Sequence, residues 1–182
     1  IDATIARAWH LAFAILLVFL AYPAFNEARP PFWVKLWRRL LPRRRRKRSL
    51  RGYIPLFDVA LGVIAAAAAL YIWWDYEGII MRQGIPSNAD VWIGVVMIIL
   101  LLEAARRALG LALPILGIIF LAYSFLGPYL PEILRHRGIP LDYVINDQYL
   151  STTGIFGVPL AVSTDFVFLF VLFGALLDRA GA

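Results

Sequence analysis

The sequence predicts an all-α protein: a polytopic transmembrane helical bundle of about five spans, with short amphipathic helices between them. Three observations lead there. Hydrophobic residues make up 62% of the 182-residue chain and charged ones only 16%, where soluble domains average about a quarter charged. A soluble fold of this size has too little interior to hide so much apolar side chain. Five apolar segments recur, most of them near the roughly 20 residues that a helix needs to cross the hydrocarbon core. Finally, Arg43, Arg44, Arg45, Arg46, Lys47 and Arg48 form an unbroken basic run between the first two segments.

The first segment, residues 8–25, holds His10 and no acid or base. Residues 26–53 then carry eleven Lys/Arg against one acid, Glu27. A linker this short and this basic stays on the cytoplasmic side, so it sets the orientation of the chain. Within it, Phe32, Trp33, Leu36, Trp37 and Leu40 share one side of a helix that carries Lys35, Arg38 and Arg39 on the other. That pattern predicts an interfacial helix, entered through Pro30-Pro31. The net charge of +6 comes almost wholly from this linker. The high pI is therefore a topology signal, and no recognition module accompanies it that would point to nucleic acid.

The second segment, residues 54–74, has one charge, Asp58, near its start, placed to reach water after Pro55. Gly62, Ala66 and the alanine run 65–69 make a small-residue face where helix backbones can approach. Residues 75–90 follow on the outside, with three acids and one Arg. The third segment is apolar only over residues 91–102, too short to span alone. Continuing through Glu103, Arg106 and Arg107 gives sufficient length. Glu103 then pairs with both arginines at i+3 and i+4, and the arginines snorkel to the inner interface. A re-entrant segment is the competing reading. In the spanning reading Arg106 and Arg107 agree with the orientation set by residues 43–48.

The fourth segment is 109–129, with Gly110, Gly117 and Gly127 as packing positions. Residues 128–155 lie outside, and residues 141–151 form a weak amphipathic stretch that either rests on the outer surface or docks a partner. Trp73, Trp74, Tyr76, Trp92 and Tyr129 flank the outer loops, as an aromatic belt does. The fifth segment is 156–177, followed inside by Asp178 and Arg179. Asp165 lies about two turns into it, beside Ser163 and Thr164 and after Gly157 and Pro159, a proline that can free backbone carbonyls at depth. Carboxylates inside spans are costly and mark function. Ser163, Thr164 and Asp165 are therefore the candidate solute or ion path; a polar contact between helices is the plainer reading.

No catalytic, cofactor-binding or metal constellation appears. His10 and His136 share no ligand spacing with acids. Ser151, Thr152 and Thr153 have no base beside them, and Cys is absent. Residue 1 is Ile, no signal peptide frames the first span, and the N-terminus falls outside. A fragment of a longer chain with an earlier span is expected.

From Val91 onward, WIGVVMIILLLEAARRALGLALPILGIIFLAYSFLGPYLPEILRHRG, YLSTTGIFGVPL and VFLFVLFGALLDRAGA resemble the fused permease of tripartite ATP-independent periplasmic (TRAP) transporters, nearest the TAXI-type branch. HLAFAILLVFLAYP and residues 71–77 fit more weakly. The resemblance implies an inner-membrane secondary transporter of a bacterium or archaeon. A cation gradient, usually sodium, drives it, and a periplasmic binding protein delivers the solute, often a carboxylate. Residues 1–127 would be the Q-like small-subunit region without its first helix, 128–155 an external loop, and 156–182 the start of the M-like large subunit. The solute and cation ligands of the family lie beyond these residues, so none is assigned here. Asp165 stands where the family pattern has Thr. A non-transporting membrane scaffold or assembly subunit is the alternative, and an intramembrane enzyme ranks last.

Overall fold

The computed structural model describes residues 2–23, 55–82 and 84–181. The basic run and the amphipathic stretch of residues 30–40 lie outside them. All regular structure in the described residues is helical, as expected. Helix α1 is Ala3–Ala21, α2 Leu56–Trp74, and α3 the short Tyr76–Met81. Helix α4 is Asn88–Leu109, and α5 Ala112–Leu126, extended by a 3-10 turn to Tyr129. Helix α6 joins Leu141–Ile145 to a π-helical turn, Asn146–Leu150; α7 runs Val158–Ala180, with a π turn at Ser163–Val167.

Five of these, α1, α2, α4, α5 with its extension, and α7, are long and apolar enough to cross a membrane. The chain is a multi-pass membrane protein. The third span is continuous through Glu103, Arg106 and Arg107, so its 22 residues need no re-entrant turn. It starts where Ser87 and Asp90 close a capping box: each side chain takes the other's backbone N–H, at 3.2 and 2.8 Å. That satisfies two of the amides a helix start leaves open.

The core lies between α1, α2 and α4. Ala8, Leu11, Ala12, Ile15 and Phe19 of α1 are buried against Gly62, Ala65, Ala69 and Ile72 of α2. Their three-and-four spacing is the seam of an antiparallel helix pair. A Cβ on Gly62 would stand 3.1 Å from Leu16 and 3.2 Å from the Phe19 Cβ. In lipid no hydrophobic force drives helices together, so close backbone approach of this kind supplies the attraction. Gly110 differs from its sequence reading as a packing position. It has φ +93° with open space around it, and it turns α4 into α5 within two residues. That φ suits glycine because a Cβ would crowd the backbone.

Helix α6 is docked within the bundle. Tyr149 is fully buried and its hydroxyl donates to the Ala68 carbonyl at 2.5 Å. Burial pushes its phenol pKa up, which keeps it a neutral donor. Gly94 of α4 makes room for it: a Cβ there would lie 2.5 Å from Ile145 and 2.9 Å from the Tyr149 ring. Both neighbours are fully enclosed and have nowhere to move. Gly94→Ala is therefore expected to cost about 1–3 kcal/mol through overpacking. Thermal unfolding in detergent reads this, and an unchanged midpoint would refute the close packing.

Candidate functional site

Two buried carboxylates sit at opposite ends of the core, and each is fully engaged. At the end where α2 begins, Asp58 is completely enclosed. It accepts from Arg107 Nη1 at 2.8 Å. Arg107 is 4% exposed. Its Nε donates to Glu103 at 2.7 Å, Nη1 reaches the Tyr22 carbonyl at 3.4 Å, and its guanidinium lies 4.6 Å from the Phe19 ring centre. One side chain thus ties α1, α2 and α4. The expectation that Asp58 reaches water is overturned, as is snorkelling for Arg107. An enclosed carboxylate is far cheaper beside a guanidinium than alone, and Arg107 comes from 49 residues downstream. Arg106, more exposed, grips Glu103 with two bonds of 2.7 Å.

At the other end Asp90 is 1% exposed. It accepts from the Tyr71 hydroxyl at 2.6 Å and from Arg82 at 3.4 Å. Arg82 also donates to Asp75 at 2.5 Å, and this bond holds its pKa above the usual arginine value. Tyr76 donates to Asp2 and thereby lowers the Asp2 carboxyl pKa. Trp9 packs on Trp73 at 5.3 Å, and Trp74, Trp92 and Tyr129 lie exposed at the same end. The loop after α5 is tied there by His136, which accepts from the Gly138 N–H on Nδ1 and therefore donates through Nε2 to the Tyr123 carbonyl, 2.9 Å away.

The three residues read as a solute or ion path fall in the π turn of α7 and divide between its faces. Ser163 Oγ lies 3.1 Å from His10 Nε2 of α1. Thr164 donates to the Leu160 carbonyl of its own helix at 2.8 Å. Asp165, two residues past Ser163, is turned about half a revolution away from α1. It is exposed and has no hydrogen bond or ion pair among the described residues. The π geometry is itself a mark of functional positions in helices. Pro159 does not free a carbonyl at depth. It is the second residue of α7, where its missing N–H would have had no helical partner in any case.

Arg7 was not signalled by the sequence reading. Its Nη1 donates to the Phe156 carbonyl at 2.9 Å, while its Nε is buried without a partner. Arg7 and His10, three apart on α1, together hold the entry of α7. The Ser87-x-x-Asp90 pattern was legible as a helix start and would have drawn Asp90 into the third helix. Among the described residues no group of three His, Asp or Glu could hold a metal ion. The cluster can position and hydrogen-bond. No protein-family model matches the chain, and no curated protein or solved structure matches it.

Proposed function

We propose that this chain is the N-terminal part of a TAXI-type TRAP permease in a bacterial or archaeal cytoplasmic membrane. It serves there as the scaffold against which a large M-like region moves. A cation gradient, usually of sodium, drives import of a small carboxylate, and a periplasmic solute-binding protein delivers it. The coupling cation and solute bind on the M-like region. The basic linker marks the cytoplasmic end, so the Asp75–Arg82–Asp90 end faces the binding protein.

The observation that best supports this reading is the character of α7. No residue of α7 is fully buried, every residue from Asp165 to Ala180 is exposed, and it carries Asp165 on its uncovered face, whereas α1, α2 and α4 are clasped together. A charge facing hydrocarbon is expensive, so that face suits a further polar bundle. The test is uptake by the full gene product in proteoliposomes. Radiolabelled carboxylate should accumulate only with the binding protein present and sodium directed inward. Membranes that bind but never transport, under any gradient, would favour the scaffold alternative.

A further inference from the structure

A crevice of about 530 Å3 lies between α4, α5 and α6, within the range of small-molecule sites. Its existence follows from how α5 is held. The two-residue turn after α4 fixes one end, and of its 15 residues only Pro114 is buried. The helix therefore stands away from the bundle. The crevice is apolar at depth, where Leu101, Leu102 and Phe120 line it, and polar at its α6 end, where Tyr143, Asp147 and Gln148 line it. No Lys, Arg or His lines it. The Asp147 carboxylate accepts from Thr153 and from Gln148, both at 2.9 Å, and has no cationic partner among the described residues.

We propose that this crevice binds one membrane lipid by an acyl chain, with an ammonium-bearing zwitterionic headgroup on Asp147. The argument is one of depth and charge. Ser124 to Gly117 spans about 10 Å of α5, so the apolar part lies at the level of acyl chains. The single charge at the mouth is negative, which favours an ammonium and disfavours an anionic headgroup. The site would fix α5 to the core by filling the gap its own side chains leave. This inference needs only the membrane-spanning fold, so its failure leaves the transport reading untouched.

The test is native mass spectrometry on the full chain, delipidated and titrated with phosphatidylethanolamine or phosphatidylglycerol. One phosphatidylethanolamine per chain should be retained, about ten-fold tighter than phosphatidylglycerol, a gap of about 1.4 kcal/mol. Asp147→Asn should erase that preference while keeping the Thr153 bond. Gly117→Leu, whose first carbon already meets Leu102 at 3.1 Å, should lower occupancy by both lipids. Equal retention of the two lipids by the native chain would overturn the proposal. So would a preference that survives Asp147→Asn, or displacement of lipid by a water-soluble carboxylate. Should Gly117→Leu fail to fold, the Asp147→Asn comparison decides alone.

Discussion

Arg107→Met is expected to destabilise the bundle by up to about 3–5 kcal/mol, the range for removing one member of a buried ion pair. Asp58 is enclosed and would lose the guanidinium that now lies 2.8 Å from it, one of the contacts that offset its burial. Glu103 would suffer less, because it is partly exposed and keeps both bonds to Arg106. Asp58→Leu combined with Arg107→Met should recover most of the loss, because replacing both partners of such a pair by packed apolar groups is often neutral. Unfolding in detergent across the double-mutant cycle measures this. A single mutant as stable as the parent would remove the clasp from any account of the fold. Arg107→Lys should also fall short, since an ammonium cannot reach Asp58 and Glu103 in the same fixed fork.

Asp165→Leu carries the second large effect, with opposite signs in two assays. A carboxylate near the middle of a span opposes insertion by up to about 2.5–3.5 kcal/mol on insertion scales. Asp165 lies seven residues into α7, about 10 Å from its start, and is exposed without a partner among the described residues. Its replacement should raise insertion of α7 by a good part of that amount, read by glycosylation mapping. On the transport reading proposed above, carboxylate uptake by the full gene product should fall at least ten-fold, because Asp165 would lose its contact with the proposed M-like region. Ser163→Ala touches the other face and removes only the His10 contact; uptake should drop less. Insertion unchanged by Asp165→Leu would place the carboxylate in water. Full uptake would take it out of the transport path.

Much of the architecture was legible before any coordinate. Hydropathy located all five spans, and the i+3 and i+4 spacing of Glu103 with Arg106 and Arg107 foretold their pairing. What periodicity could not convey was partnership across the chain. Nothing around Asp58 announces an arginine 49 residues later, so water was the natural destination to assign it. Tyr149 is similar. A weakly amphipathic stretch looks alike whether it floats on a headgroup layer or fills a notch. Only Gly94, distant in sequence, decides between them. The pairing of His10 with Ser163 joins positions 153 apart and had no local signal. Pro159 was misjudged for a different reason: its effect depends on its distance from the helix start, and it lies within the first turn, where no helical partner is lost.

The Arg107 clasp also has a mechanical meaning. A force applied to α1, α2 or α4 alone would have to pull a buried charge away from its partners. Since one guanidinium serves all three helices, the load passes to each of them through the same few atoms. They would yield as a single block. Helices α5 and α7, held by turns and scattered polar contacts, could be peeled away from that block and leave it standing.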